Sequence, residues 1–565
     1  MRNLSGLFWW GLIVIVIGCA LAHYTQTSNG IRVEDVRFTG TNATPMSALL
    51  YVPANASAKT PAPGILAVHG YINSRETQSA FAIEYARRGY VVLALDQTGH
   101  GYSGGFAFGN GFGGPDGLKY LRSLDFVDGN NIGLEGHSMG GGSILAAAQA
   151  MPDGYKSMVL EGSATRTVFS PPGNATFPRN VAVVYSKYDE FSTLMWGVAL
   201  AKDVTKSAKL KALFGTSSDV LPLKLYGSIA DGDARVLYTP TTTHPGDHIS
   251  TEAVGDSIEW FQKTLTGGVS LPRSDQIWWW KELGTLIALI GFVVLLLGAF
   301  DVLVHMPHFA ALAQPTTPAC ERRDTRWWVS LLLTAAIPVL SFYYFFGLGA
   351  KWLPASRYFP QSITNQLIVW ALLNGAITLV LGKLLFNSKA SVTPRWWLSL
   401  QIALVTVGIG YLSLALADYF FKVDFRIWVV ALKLLSLAQF GYFLAYLIPF
   451  TLFFVVAFRA LHGFLSVQGD SALRHYASTI GAMAFGFFCF IAAEYIPLFT
   501  VGHLLVPAEA LNAIISIQFL PLMIILGIIA AFTWRRTNNY LPGALIAGLF
   551  VTWYVVAGTA TQFRG

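Results

Sequence analysis

The sequence predicts two joined architectures: a doubly wound, mostly parallel α/β sheet, and an all-α polytopic membrane domain with about nine transmembrane helices in total. Three observations predict this. Short β-rich runs alternate with helical patterns between Ile31 and Asp275. Within that region Asn131 to Gly142 reads as strand, sharp turn, helix, with Gly136-His137-Ser138-Met139-Gly140 at the turn. From Trp278 onward the composition changes to successive apolar stretches, each long enough to cross a bilayer.

Residues 1–30 contain a 17-residue apolar run, Gly6 to Ala22, behind a single early Arg2. It reads as a transmembrane anchor, with a signal peptide cleaved near Ala20-Leu21-Ala22 as the alternative; Val16-Ile17-Gly18-Cys19 also resembles a weak lipoprotein box. Residues 31–275 follow as one α/β domain. Ile31–Thr39 and Ser47–Val52 form a starting hairpin, and Gly64–Val68 and Tyr90–Leu95 are strands with the helix Glu76–Arg88 between them. Pro115–Phe126 is a second helix and Asn131–Leu134 the strand before the turn. Lys156–Leu160, Val181–Tyr185 and Arg235–Tyr238 are further strands, and Thr251–Thr264 closes the domain. Leu194–Phe214 is a helical, lysine-bearing insertion, read as a lid, a membrane-facing flap, or a plain surface helix.

Residues 276–565 hold about eight further spans: Leu283–Leu303, Trp327–Leu348, Gln366–Phe386, Trp397–Leu416, Ile427–Phe458, Tyr476–Leu498, Leu511–Trp534 and Leu541–Ala560. Pro449 is expected to kink the long fifth one or to start an interfacial piece. With a cytoplasmic N-terminus, one set of short connections carries Arg2, Arg322, Arg323, Arg326, Lys383, Lys389, Arg395, Arg459, Arg474, Arg535 and Arg536. The opposite set carries only Lys351, Arg357, Lys422, Arg426 and Arg564, so the positive-inside rule puts the α/β domain outside the cytoplasm.

Composition agrees. Hydrophobic residues make up 53% and charged ones 12%, which excludes an ordinary soluble chain. Residues 31–275 are nearly neutral, so the formal charge of +7 comes from the apolar part and its connections; it marks membrane orientation, and no nucleic-acid partner is expected. Cys19, Cys320 and Cys489 all lie outside the α/β domain, so cysteine usage does not define a redox compartment. Asn42, Asn55 and Asn174 stand in glycosylation acceptor patterns that fit an exported face. No C-x-x-C pair, H-E-x-x-H, phosphate loop or dinucleotide fingerprint occurs, so neither a metal nor a cofactor is expected.

The turn carries the chemistry. Glycines two before and two after Ser138 let the backbone bend tightly enough to expose the hydroxyl, and the helix behind it favours developing negative charge. A serine hydroxyl needs a base within hydrogen-bond reach and a third group to orient that base. Asp189, just beyond Val181–Tyr185, is the expected acid, with Glu190 as the neighbour to be distinguished and Asp231 and Asp233 as weaker rivals. The base is expected between the last strand and the last helix, where His244 and His248 both stand; His248, beside the start of the closing helix, is preferred. Oxyanion donors are expected from the backbone N–H groups of Met139 and Tyr71, with His69 as a turn-stabilising residue.

Val68-His69-Gly70-Tyr71, the turn Leu95 to Gly104 and Gly136-His137-Ser138-Met139-Gly140-Gly141 together resemble the α/β-hydrolase superfamily, in its esterase, lipase and dienelactone-hydrolase-like branch, over about Met46 to Leu265. The resemblance implies an α/β-hydrolase sheet and a Ser138–Asp189–His248 triad. The expected function is therefore an extracytoplasmic serine esterase or lipase acting on acyl esters, lipid-like ones included, in contact with membrane lipids. Acyl transfer to a lipid or sugar hydroxyl, a serine peptidase, and a transporter or scaffold with a non-catalytic hydrolase domain are the alternatives. The resemblance names no substrate and no oligomeric state. Asp418, Lys433 and Glu494 fall near the non-cytoplasmic ends of their helices. Paired with one another they would shape a cavity beneath the α/β domain; otherwise they snorkel to the interface.

Overall fold

The computed structural model describes residues 6–315, 321–385 and 394–563. Arg2, Cys320, Phe386, Lys389 and Arg564, all used in the sequence reading, lie outside the described residues. After helix α1 (Gly6–Gln26) the chain builds the α/β part. It runs β1 (Arg32–Thr39), β2 (Pro45–Val52), β3 (Ala62–Val68), α2 (Ser79–Arg87), β4 (Val91–Leu95), α3 (Gly114–Ser123), β5 (Val127–His137), α4 (Met139–Ala150) and β6 (Ser157–Glu161). It continues with β7 (Val181–Val184), α5 (Ser192–Trp196), α6 (Ala208–Phe214), β8 (Arg235–Tyr238) and α7 (Thr251–Thr264).

These strands form one eight-stranded sheet in the order β1-β2-β4-β3-β5-β6-β7-β8. β1 and β2 are an antiparallel hairpin and β2 is antiparallel to β4, whereas β4, β3, β5, β6, β7 and β8 run parallel. Strands β3 and β4 are buried at every position, as expected for a parallel sheet covered on both faces. Leu66, Leu95, Leu134 and Ile144 belong to the core on the α3–α4 side, and Ile65, Phe81, Val92 and Ile258 to the core on the α2–α7 side. Each such side chain contributes about 1.5–3 kcal/mol on burial. The chain leaves β3 toward β4 and then returns to β5 on the opposite side, so the strand order reverses between β3 and β5. In an open parallel sheet that reversal leaves a crevice at the carboxyl ends of the strands, the usual place for a ligand.

The helical part comprises α8 (Trp278–Val304), α9 (Thr325–Leu340), α10 (Phe342–Trp352), α11 (Ser362–Leu385) and α12 (Trp396–Phe421). A small hairpin of β9 (Phe425–Ile427) and β10 (Val430–Leu432) follows, then α13 (Leu437–Leu465), α14 (Ala472–Val501), α15 (Ala510–Ile517), α16 (Phe519–Thr537) and α17 (Tyr540–Gly558). Among the described residues eight helical stretches are long and apolar enough to cross a membrane, or nine with α9 and α10 taken as one bent span.

Three expected spans differ in detail. Ile427–Phe458 is not one helix. Ile427 ends β9, Trp428 turns the chain with φ 54°, and α13 starts ten residues later on a Ser436–Gln439 capping box. Pro449 sits inside α13, which runs unbroken to Leu465. Trp327–Leu348 breaks at Ser341 with a bend of 51°; Pro338 lies one turn before the break, and its carbonyl accepts from Trp370 Nε1 at 2.9 Å. Leu511–Trp534 is divided at Gln518 between α15 and α16.

Helix α1 does not stand alone. Gly11 and Gly18 on α1 face Gly284, Gly291 and Gly298 on α8 at a seven-residue spacing, which brings the two backbones into contact. A Cβ at Gly291 would stand 2.6 Å from Ile15 N, and one at Gly298 would stand 2.3 Å from Phe8 N. The far end of α1 is held as well, by Gln26 Nε2 donating to the Phe421 carbonyl at 2.7 Å.

The α/β part is tied to the helices at several points. Trp428 Nε1 donates to the Pro245 carbonyl at 2.7 Å, and Tyr495 OH donates to Glu190 Oε1 at 2.9 Å. The segment after α17 pairs with the loop beyond β4, where Thr561 N donates to Gly99 O (2.8 Å) and Ala107 N donates to Thr561 O (2.7 Å). These ties put the sheet's carboxyl edge against the ends of the helices.

Candidate active site

Ser138 ends β5 and starts α4 with φ 54° and ψ −119°, a region that L-residues occupy only when the surroundings force it. The neighbouring glycines explain how the turn is made. A Cβ at Gly136 would lie 2.4 Å from the Gly140 carbonyl, and one at Gly140 would lie 2.1 Å from the Val68 carbonyl. The turn is clamped by Ser138 N donating to Glu161 O at 2.8 Å and by Ser163 Oγ donating to Ser138 O at 2.7 Å. Neither Met139 N nor Tyr71 N meets a protein acceptor among the described residues, and both residues line the cavity that contains Ser138.

Asp189 lies on the loop after β7. Its Oδ1 accepts from Tyr185 OH (3.0 Å) and Phe191 N (2.7 Å), and its Oδ2 accepts from a histidine Nδ1–H at 2.8 Å. That histidine is His244. The preference for His248 is corrected here, and a bridge beyond the parallel pair β7–β8, one residue out of its register, gives the reason. Val184 pairs with Tyr238, and an isolated bridge farther on joins Tyr188 to Thr243, so the next residues, Asp189 and His244, stand side by side. His248 lies one turn onward in the short helix Pro245–Ile249 and packs against His137 and Phe81, with ring centroids 4.1 Å and 6.1 Å away. Neither of its ring nitrogens has a hydrogen-bond partner among the described residues.

The electrostatics separate the two histidines further. Burial alone would lower the His244 pKa, but Asp189, with Glu190 and Asp247 behind it, raises it above its ordinary value. Burial pushes the His248 pKa well below the ordinary value, and the neighbouring His137 and His244 push it the same way. The Asp189 contact sets the His244 tautomer: Nδ1 carries the proton and Nε2 is the basic nitrogen. His137 Nε2 donates to the His244 carbonyl at 2.9 Å and steadies the same loop. Burial likewise lowers the His69 pKa well below the ordinary value. Its Nε2 accepts from Gln97 N at 3.1 Å and its Nδ1 donates to Gly70 O at 2.7 Å, which pins the loop bearing Tyr71.

Glu190, the residue to be distinguished from Asp189, has its own role. Its Oε2 accepts from His244 N at 2.8 Å while its Oε1 accepts from Tyr495 on α14, so it links the histidine loop to a membrane-type helix. Burial, and then Asp189, raise its pKa to about 7. Asp231 and Asp233 stand on the far side of β8 from this site, where Asp233 Oδ1 accepts from Ser228 N at 2.7 Å.

Ser138, His244 and His248 face one cavity of ≈ 360 Å³. On the α/β side it is walled by Tyr71, Phe108, Phe169, Leu194 and Met195, and on the helical side by Val429, Leu511, Ile514 and Gln518. Tyr71 stacks on Phe108 and Phe108 on Phe169, with centroids 6.0 and 5.5 Å apart; the Tyr71 hydroxyl accepts from Gln562. The start of the Leu194–Phe214 insertion is thus cavity wall, while α6 buries Leu210, Leu213 and Phe214 against the core. No Asp, Glu, Lys or Arg is among the lining residues. Asp418, Lys433 and Glu494 do not line it either. Glu494 accepts instead from Tyr343 OH (2.9 Å) and Val506 N (3.1 Å). No local signal in the sequence announces Val429, Leu511, Ile514, Gln518 or Tyr495, because they reach the site from nearly three hundred positions or more downstream of Ser138.

If His244 Nε2 is the proton acceptor, the acid limb of kcat/KM must reflect its raised pKa. The neutral imidazole is the active form, so activity on a short-chain ester should rise with pH through an inflection above 6.5, the ordinary histidine value. Glu190 and His244 act on each other's charge, so the inflection belongs to the pair. The stabilisation from charging His244 has the opposite sense: it is present below the ordinary value and lost as pH rises through the raised one. A pH–rate profile with an acid limb at or below 6.5 would contradict this assignment.

The sheet order, the strained serine between β5 and α4, and the loops after β7 and β8 define the class. The α/β part of this chain has an α/β-hydrolase-like sheet, is similar to proteins of the esterase and lipase-like branch, and is joined to a bundle of long apolar helices. The serine aminopeptidase S33 family (Hydrolase_4) matches residues 59–188, a stretch that includes Tyr71 and Ser138 and stops one residue before Asp189. A monoacylglycerol lipase of Mycolicibacterium smegmatis is 31% identical over 115 residues, covering 18% of this chain and 37% of the lipase. Among solved structures, an esterase of Pyrococcus furiosus is similar at 17% identity and a TM-score of 0.29, covering 43% of this chain and 93% of its own. A carboxyl esterase of Bacillus coagulans is similar at 20% identity and a TM-score of 0.20, covering 24% and 46%.

Proposed function

We propose that this protein is a membrane-embedded serine hydrolase that cleaves acyl esters on the extracytoplasmic side of the bilayer. Ser138 Oγ attacks the ester carbonyl while His244 Nε2 takes its proton, and Asp189 holds the imidazole and stabilises its charged form. The oxyanion is received by the N–H groups of Tyr71 and Met139. The leaving alcohol departs with the proton from His244, and water, activated by the same imidazole, releases the acid from the acyl-enzyme. The observation that carries this reading is the 2.8 Å contact between His244 and Asp189 at the cavity that also holds the strained Ser138.

The absence of charged side chains among the lining residues favours a neutral acyl group over a peptide bearing a terminal charge. The outward orientation rests on the connections at the helix ends remote from the sheet. Arg322, Arg323, Arg326, Lys383, Arg395, Arg459, Arg474, Arg535 and Arg536 lie there, against Lys351, Arg357, Lys422 and Arg426 at the near ends.

An impermeant fluorophosphonate applied to intact cells is expected to label the full-length protein, and Ser138→Ala to abolish that labelling. The purified protein is expected to turn over p-nitrophenyl butyrate and to spare aminoacyl p-nitroanilides. Equal labelling of Ser138→Ala overturns the nucleophile, labelling only after lysis overturns the orientation, and a preference for the anilide selects a peptidase.

A further inference from the structure

Two more cavities lie in the helical bundle, and each shares wall residues with the next one toward Ser138. Ile72 and Gln518 line both the Ser138 cavity and a crevice between α11, α13, α16 and α17. Trp370, Phe453, Phe454 and Met523 line both that crevice and a third space that continues toward the opposite ends of the helices. From Phe450 to Phe464 on α13, the walls of these two spaces extend over 15 residues, a rise of about 21 Å along the helix. The crevices are narrow, ≈ 70 Å³ and ≈ 110 Å³ against ≈ 360 Å³ at the serine, and their walls are mostly aliphatic and aromatic. We propose that this line of cavities is the acyl-chain site of the enzyme. The ester sits at Ser138 and a long unbranched chain of about 16 carbons lies inside the bundle, at about 1.3 Å per methylene for C–C bonds of ~1.5 Å.

This rests on the serine-hydrolase reading above and adds the substrate class to it: single-chain amphiphiles such as long-chain monoacyl esters. Polarity along the path matches such a molecule. The serine end carries His244 and the backbone donors, the Gln518 amide (which accepts from Tyr554 OH) stands at the junction, and apolar walls follow. The junction also bears on the reaction. Ile72 is a β-branched residue at φ 55°, a conformation such side chains avoid, and it directly follows Tyr71. A chain seated against Ile72 therefore presses on the loop that presents the Tyr71 N–H, so occupancy of the crevice and alignment of the oxyanion donor are connected through one strained residue.

Gly558 supplies the test. It lines the first crevice, and a Cβ added there meets nothing within 4 Å, so a larger side chain enters open space without moving the backbone. Full-length protein in nanodiscs is assayed with p-nitrophenyl esters and monoacylglycerols from C4 to C18. Gly558→Phe is expected to lower the C16/C4 ratio of kcat/KM by about tenfold or more. Met523→Trp, deeper in the line, is expected to depress C16 and C18 while C8 and C10 follow C4; it also keeps the test decisive should Gly558→Phe fail to fold. Leu444→Phe, on the exposed face of α13, serves as a control that keeps the wild-type chain-length profile. Turnover of both C4 and C16 with an unchanged ratio in Gly558→Phe and Met523→Trp overturns the acyl-chain site and leaves the serine chemistry standing. Wild type that turns over no ester, or Ser138→Ala that matches wild type, overturns the hydrolase reading and the acyl-chain site with it.

Discussion

Replacing His244 with alanine is expected to lower kcat on a short acyl ester by a factor on the order of 10⁴ to 10⁶, with KM little changed. The loss is confined to the transition state, because the imidazole accepts a proton only as the serine attacks. His248→Gln is the discriminating partner. His248 occupies the same cavity and is equally buried, but it makes no contact with a carboxylate; its kcat should stay within about tenfold of wild type, because it touches none of the reacting groups. A collapse of kcat in His248→Gln with activity retained in His244→Ala would reverse the assignment. Side-by-side single-turnover measurements decide it.

The second large effect is expected at the turn. Gly140→Ala places a methyl 2.1 Å from the Val68 carbonyl, and Gly136→Ala places one 2.4 Å from the Gly140 carbonyl. Both obstacles are backbone atoms, so no side-chain rotation relieves the clash and the strand-to-helix bend must open. Overpacking of this kind costs about 3 kcal/mol or more. On the proposed mechanism, a displacement of Ser138 by about 1 Å is expected to reduce turnover by roughly 10²-fold even in molecules that remain folded. Thermal melts and ester turnover of the two alanine variants measure the two consequences separately. Wild-type values for both would mean that the turn is not strained as described.

The two sets of effects have different origins, and the same division separates what was legible in the chain. The turn is a local matter. Glycines at fixed offsets from Ser138, an apolar run before and small residues after, suffice to specify strand, bend and helix, and they do so wherever the surrounding chain lies. The strands were legible for the same reason, as were the long apolar helices, because bilayer thickness sets their length. The departures occur where a contact with a distant segment outweighs a local pattern. Ile427–Leu432 is apolar enough to continue a helix, yet Trp428 turns it into a hairpin whose indole reaches Pro245. Ser341 breaks a helix next to Pro338, whose carbonyl is bound by Trp370.

The choice between His244 and His248 is the sharpest case. Both stand in the same twelve-residue connection between β8 and α7, and proximity to the closing helix favours the second. The pairing of Tyr188 with Thr243, shifted one residue from the β7–β8 register, brings the first against Asp189. Nothing in the loop itself records that pairing.

By itself, the sequence determined that this protein joins a doubly wound α/β sheet to a bundle of long apolar helices and that Ser138 stands at a glycine-made bend, because each follows from periodicity, length and backbone sterics within a few dozen residues. The tertiary structure alone decided which histidine meets Asp189, that Glu190 links it to α14, and that the serine's cavity shares Ile72 and Gln518 with a crevice in the bundle. These depend on the register between strands and on walls supplied by segments hundreds of residues apart, which meet only when the whole chain is folded.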